Sequence, residues 1–371
     1  MNRKRRDFLR DAAIVSAAGL TAGCSQSGNS QNEGSAGTDC APADKLTWKM
    51  VTTWPRDYPG VGTGANRLAE MITRMSGGRL EVKIYGAGEL VPAFEVFDAV
   101  SNGTAELGHG AAYYWKGKSA AAQFFGSVPF GMTAAETNSW LYYGDGLALW
   151  EQVYTPFGVR PLPAGNTGVQ MGGWYNQPIE SVADLQGLKI RIPGLGCEVM
   201  RKAGATVQNI PGGELFTALS TGTIDATEWV GPWNDLAFGL HQAADYYYYP
   251  GWHEPGSVLE CLINQRAWSE LPDDLQAIVR NACQAVNLDM ASEFTARNQA
   301  ALDTLVNEHG VELRAFPEPV LDALKGYSRE VLEEVAAQSE LAARVHDSYT
   351  DFMRSARKWT ARSEQIYLNS R

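Results

Sequence analysis

Asn166-Thr167-Gly168-Val169-Gln170-Met171-Gly172-Gly173-Trp174 opens the stretch around which the chain is organised. Behind it come Leu188-Lys189-Ile190-Arg191-Ile192-Pro193-Gly194, then Ile224-Asp225-Ala226-Thr227-Glu228-Trp229-Val230-Gly231-Pro232, then Pro250-Gly251-Trp252-His253-Glu254. Each piece reads as a short buried strand that stops at a Gly- or Pro-rich bend. Polar residues therefore fall at strand ends, where open α/β sheets place ligand groups. Arg191 offers a rigid fork for a carboxylate. Gln170 and Glu228 offer hard oxygens for a cation. These segments are expected to converge on one small anion and one metal ion.

Outward from this stretch, the pattern alternates strand and helix. Leu46 to Trp54 is β-rich and alternating; Gly62 to Met75 carries Leu68, Met71, Ile72 and Met75 at helical spacing, closed by Gly77-Gly78. Leu80 to Tyr85 reads as a second strand, Ala93 to Val100 as a helix, residues 133–157 as one amphipathic helical stretch, and Arg160 to Ala164 as a strand. This order implies a largely parallel sheet covered by helices. Past Leu271 the pattern is helical apart from a strand at Gly310 to Phe316. Leu341, Val345, Tyr349, Phe352, Ala356 and Trp359 then form one apolar stripe, which suits packing on its own domain or on a second subunit equally. A change of sheet near 164–168 and a return near 250–256 would give two lobes, the second inserted into the first.

The chain has 371 residues, enough for two domains, and 44% hydrophobic with 20% charged residues marks a globular body. A net charge of −11 without a basic stripe excludes nucleic acid as a partner. Lys4-Arg5-Arg6-Asp7-Phe8-Leu9-Arg10 resembles a twin-arginine export signal. The apolar run Ala12 to Ala22 behind it is shorter than the roughly 20 residues a membrane span needs. Leu20-Thr21-Ala22-Gly23-Cys24 resembles a lipoprotein cleavage box, with Cys24 as the candidate lipid anchor, and residues 25–44 read as a flexible tether. Losing that leader leaves an acidic exported chain, which must focus positive charge locally to hold an anion. Cys40, Cys197, Cys261 and Cys283 match no zinc spacing, and the last three read as small buried hydrophobes.

Arg191 has an ordinary alternative, a surface ion pair. Glu228, between apolar runs, is expected to be buried and so paired with a base or bound to metal. It cannot hold an anion directly; a cation between it and the anion removes the conflict. The Gln170 side chain and a backbone carbonyl near Trp229 would complete an oxygen set, which favours Na+ or Ca2+ over zinc. Glu254 is a candidate further ligand or outer acceptor. His109 and His253 stand isolated in sequence and read as structural. No nucleophile elbow, zincin motif or phosphate loop is present.

The segment Gly165 to Trp174, with Glu228-Trp229-Val230-Gly231-Pro232 and Tyr246 through Trp252, resembles the solute receptors of tripartite ATP-independent periplasmic (TRAP) transporters. The branch it resembles binds 2-oxo monocarboxylates such as pyruvate. The resemblance runs from about residue 46 to the C-terminus. It implies an α/β, two-lobed periplasmic solute-binding protein with a cleft between lobes, a long C-terminal helix and no catalysis. With the export signal over 1–24 and the tether over 25–44 set aside, lobe I is expected over 45–165 with a return segment 255–290, lobe II over 166–254, and a C-terminal helical segment, a candidate dimerisation helix, over 291–371. The resemblance places Arg191 on the substrate carboxylate, and Gln170, Glu228 and the Trp229 carbonyl on sodium, with calcium as the alternative ion. Glu254, Tyr113, Tyr114 and Trp229 are candidate substrate contacts. Membrane permease subunits and a second copy, through the C-terminal helix, are the implied partners. A calcium-lactate receptor is the rival within the family; an exported enzyme acting on small carboxylates is the rival outside it.

Overall fold

A computed structural model describes residues 45–371. The export and lipidation expectations for residues 1–24, and Cys40 in the tether, lie outside the described residues. The elements run β1 (Leu46–Thr52), α1 (Val61–Met75), β2 (Leu80–Tyr85), α2 (Val96–Ser101), β3 (Leu107–Gly110), α3 (Ala134–Tyr143), α4 (Gly146–Tyr154) and β4 (Val159–Asn166). They continue β5 (Gly173–Tyr175), β6 (Lys189–Arg191), α5 (Gly194–Lys202), β7 (Thr206–Gln208), α6 (Leu215–Ser220), β8 (Ala226–Thr227), α7 (Pro232–Phe238), β9 (Tyr246–Tyr249) and β10 (Val258–Asn264). The last are α8 (Gln265–Glu270), α9 (Asp273–Asn307), β11 (Glu312–Ala315), α10 (Glu318–Ala336), α11 (Glu340–Thr360) and α12 (Glu364–Asn369).

Two sheets carry the fold, ordered β2-β1-β3-β10-β4 and β11-β9-β5-β8-β6-β7. In the first, β1 is parallel to β2 and β3, and β10 runs antiparallel between β3 and β4. In the second, β6 is parallel to β7 and β8. The chain leaves the first sheet after β4 and returns to it as β10, so the residues of the opening stretch lie on or between these crossings. The two-lobed α/β architecture expected from the sequence is what forms.

Local chemistry explains most boundaries. α1 buries Leu68, Ile72 and its small residues on one face and ends where Gly77 and Gly78 take positive φ. The 133–157 stretch is two helices rather than one. Thr133 and Glu136 form a capping box that starts α3, and Gly144 breaks the helix before α4 begins. Aromatic rings fill the space beneath: Phe125 stacks on Trp140 at 5.5 Å and on Trp150 at 5.1 Å. Such pairs add about 0.5–1.5 kcal/mol beyond their buried area. β11 joins the second sheet beside β9, tying the C-terminal part of the chain to that lobe.

α11 divides the two readings of the C-terminal stripe. Val345 and Tyr349 are buried, and Tyr349 meets Trp140 edge-on at 5.2 Å. Farther along, Trp359 is 72% exposed, and Ile366, Tyr367 and Leu368 of α12 are exposed too. No helix among the described residues is long and apolar enough to cross a membrane.

Candidate functional site

Every candidate residue sits at or just past a strand end. Arg191 ends β6, and Glu228 follows β8 directly. Gln170 lies between β4 and β5; His253 and Glu254 lie between β9 and β10. Backbone bonds knit these loops together: Gln170 N–H donates to the Glu254 carbonyl (3.2 Å), Gly251 N–H to the Gln170 carbonyl (3.0 Å), and Met171 N–H to the Val230 carbonyl (3.0 Å). Glycine is required for this closeness. A Cβ on Gly251 would stand 2.3 Å from the Gln170 carbonyl oxygen, and Gly173, at φ +106°, would place one 2.6 Å from that of Thr227. Tyr113 and Tyr114 arrive from the first lobe, in the turn after β3.

Arg191 is 1% exposed, not a surface cation. Its Nε–H donates to the Ile210 carbonyl (3.0 Å), Nη1 to the Glu228 carbonyl (3.3 Å) and to Glu228 Oε1, and Nη2 to the Tyr114 hydroxyl (3.4 Å). A guanidinium has five N–H groups. Four are therefore occupied, and one on Nη2 has no acceptor among the described residues. The plane also rests over the Trp229 ring at 5.4 Å. The sequence reading sets the anion and its cation between Arg191 and Glu228; in the structure the two side chains touch directly.

Glu228, 1% exposed, keeps its second oxygen on His253 Nε2 at 3.2 Å. Glu254 Oε2 accepts from Gln170 Nε2 (2.8 Å), from the Ser257 hydroxyl and from the Tyr113 hydroxyl (3.5 Å). With its NH2 group held by Glu254 and by Thr167 Oγ1 (3.1 Å), Gln170 must aim its carbonyl oxygen elsewhere. That Oε1 is buried without a partner among the described residues, as are His253 Nδ1 and Trp229 Nε1. An unmet buried acceptor costs roughly 1–3 kcal/mol. Ligand atoms of Glu228, His253 and Glu254 lie within 4.8 Å of one another. This donor set, rich in oxygen and short of protons, fits a hard cation.

Burial dominates the electrostatics. It pushes the Glu254 carboxyl up to about 7, with the Glu228 charge acting in the same direction. It pushes the Tyr114 hydroxyl up to about 12 against the pull of Arg191. Arg191 is held above its ordinary value: burial alone would lower it, and Glu228 and the two tyrosines outweigh that loss. His109, within β3, is held down to about 4 by burial. It accepts from Trp54 Nε1–H (2.8 Å) and meets the Ala164 carbonyl (3.2 Å), a neutral link between strands.

The sequence profile of the DctP family, described as bacterial extracellular solute-binding protein, family 7, matches residues 50–339. The chain belongs to this family. Among DctP relatives, a monocarboxylate 2-oxoacid-binding periplasmic protein of Nostoc is 41% identical over 366 residues, 99% of this chain and 98% of that one. A TRAP periplasmic solute-binding protein from Colwellia psychrerythraea, solved with calcium and pyruvate, superposes with a TM-score of 0.86 at 44% identity. It is covered over its whole length by 88% of this chain. A third DctP-type receptor, from Pseudoalteromonas atlantica with sodium and pyruvate, gives 0.86 at 43% identity, again over 88% of this chain and 100% of that one. This is a family of solute-binding receptors, not of enzymes.

Three participants escaped the sequence reading. His253, set aside as isolated, holds a Glu228 oxygen. Ser257 holds Glu254. Asp235, in α7, accepts four hydrogen bonds just behind Trp229. Only His253 left a signal, its place beside Glu254 at a strand-end bend.

Proposed function

We propose that this chain is the extracytoplasmic receptor of a TRAP transporter, that it binds a 2-oxo monocarboxylate such as pyruvate together with sodium or calcium, and that it hands the acid to a membrane permease. The observation that carries the reading is the pairing of two unmet groups in one buried site. They are the Gln170 carbonyl oxygen and the remaining Arg191 N–H. A 2-oxo acid offers a carboxylate for Arg191 and an adjacent keto oxygen able to chelate a cation. Gln170 Oε1, a Glu228 oxygen and the Trp229 carbonyl would hold that cation; His253 and Glu254 would orient the ligands from behind. The cation offsets the repulsion between substrate and Glu228. Trp229, Tyr113 and Tyr114 would wall the acid in, and the sodium- and calcium-bearing relatives support both ions.

The remaining parts belong to the same proposal. Lobe I is 45–165 with 255–290, lobe II is 166–254, and 291–371 is the C-terminal segment. Export follows the twin-arginine route, with Cys24 as anchor, and two copies associate through the exposed end of the C-terminal helices.

Calorimetry tests the reading. Pyruvate should bind stoichiometrically in sodium or calcium and lose affinity on chelation in a buffer free of sodium; lactate in calcium is the competing arm. Arg191→Ala should lower pyruvate affinity at least about tenfold, a modest loss for a charged hydrogen bond. Equal affinity in the metal-stripped protein would reject the bridging ion.

A further inference from the structure

Asp235 is a buried carboxylate with no hydrogen bond to Arg191, Gln170, Glu228, His253 or Glu254 among the described residues. It is 1% exposed and lies in α7, six residues past Trp229. One oxygen accepts the backbone N–H groups of Val230 (3.2 Å) and Gly231 (3.1 Å). The other accepts Trp174 Nε1–H of β5 (3.0 Å) and the Tyr247 hydroxyl of β9 (2.7 Å). The first pair holds a loop and the second holds the sheet behind it, so one side chain fixes the loop relative to the sheet.

The Val230 N–H and the Trp229 carbonyl belong to a single peptide unit. That unit is planar and trans, so its N–H and C=O point in opposite directions. Fixing the N–H on Asp235 therefore aims the Trp229 oxygen the other way. A carboxylate on the N–H end also draws the amide dipole into line and enriches the carbonyl oxygen, since linked hydrogen bonds polarise one another. Both effects favour a cation at the far end.

We propose that Asp235 is a positioning residue for the cation, orienting and polarising the Trp229 carbonyl through the Trp229–Val230 peptide. The inference rests on the ion-binding reading of the site given under Proposed function. Asp235 touches neither ion nor substrate; its action passes through one amide.

The test separates this role from plain stabilisation. Tyr247→Phe removes a donor on the sheet side and leaves both loop bonds in place. It should lower the melting temperature while leaving the calcium concentration for half-maximal pyruvate binding unchanged. Asp235→Asn has one acceptor oxygen and one NH2 group for four donors, so it cannot satisfy loop and sheet together. It should raise that calcium concentration at least about tenfold. Wild-type calcium dependence in a folded Asp235→Asn protein overturns the proposal. Wild-type protein labelled with carbon-13 at Trp carbonyls and nitrogen-15 at Val amides supplies a second measurement, needed if the variant does not fold. Adding calcium and pyruvate should move the Trp229 carbonyl and Val230 amide resonances together. Movement of the carbonyl with a still amide rejects the Asp235 inference alone; a still carbonyl rejects the ion site itself.

Discussion

Glu260 lies on β10 with two hydrogen-bond donors and no cation for company. Trp115 Nε1–H and the Tyr154 hydroxyl (2.9 Å) meet its carboxyl, and burial pushes its pKa up to about 8 from an ordinary 4.5. Between those two values the folded chain holds a proton that the unfolded chain has released, so stability is full below the ordinary carboxylate range and declines as pH rises toward 8. One such proton gives a slope of at most about 1.4 kcal/mol per pH unit. Glu254 and Asp235, each pushed up to about 7 mainly by burial, add to the same trend at lower pH. The melting temperature should therefore fall between about pH 6 and pH 8, and Glu260→Gln, which mimics the protonated acid, should flatten the fall. Parallel melting curves for the two proteins would refute the assignment. At this scale the sequence was legible where a polar residue ended an apolar run: Arg191, Glu228 and Gln170 all meet in one place. Asp235 and Ser257 gave no such sign, because a helical Asp and a loop Ser look like solvated residues until distant strands bury them.

Elements were legible where periodicity was strong and blurred where two short ones adjoined. α1 and α11 announce themselves by one apolar face. The α3–α4 pair reads as a single helix because the apolar pattern resumes after Gly144 and only the backbone break separates them. α9 runs unbroken for 35 residues, and its buried positions, among them Leu275, Val279, Ala282, Val286, Met290, Phe294, Ala301 and Leu305, keep to one face; the exposed Leu288 and alanines off that face blur the stripe in the sequence. The C-terminal stripe was ambiguous for a physical reason: its first half is buried within the chain, and its last turn is not. Trp359 at 72%, Ile366 at 61% and Tyr367 at 63% exposure leave large apolar side chains to solvent near the end of the chain, as the proposed association would use. On the proposed association through the C-terminal helices, combined Trp359→Ser, Ile366→Ser and Leu368→Ser substitutions should shift the sedimentation profile from dimer to monomer and leave pyruvate affinity within about twofold, because none of these side chains is among the residues that form the site. An unchanged profile would rule these residues out as the contact.

For the whole molecule, binding and shape are linked. Tyr114 of the first lobe meets Arg191 of the second at 3.4 Å, and Lys116 pairs with Glu198 of α5 at 2.8 Å. Asn234 of α7 donates to the Pro59 carbonyl at 2.9 Å. The partly exposed ion pair among them is individually weak, and buried rings add to the bridge: Tyr58 stacks on Phe238 at 4.0 Å and Trp54 meets Trp229 edge-on at 6.2 Å. Under the proposed function, what fills the buried site adds to these contacts. A ligand that binds the folded, closed form and not the unfolded chain stabilises it by mass action, about 2.7 kcal/mol at a hundredfold excess over Kd. For a chain of this size that is a rise in melting temperature of roughly 4 °C. The rise should require both components. Pyruvate in a sodium-free, chelator-treated buffer should give a small fraction of the shift, because the acid then faces Glu228 without a neutralising charge. The ion alone should give a small fraction too, because Arg191 and the first-lobe tyrosines gain no carboxylate. Adding the two together should exceed the sum of the separate shifts, since each completes the other's coordination. Strictly additive shifts would mean that ion and acid occupy independent places, and the two lobes would then need another reason to close.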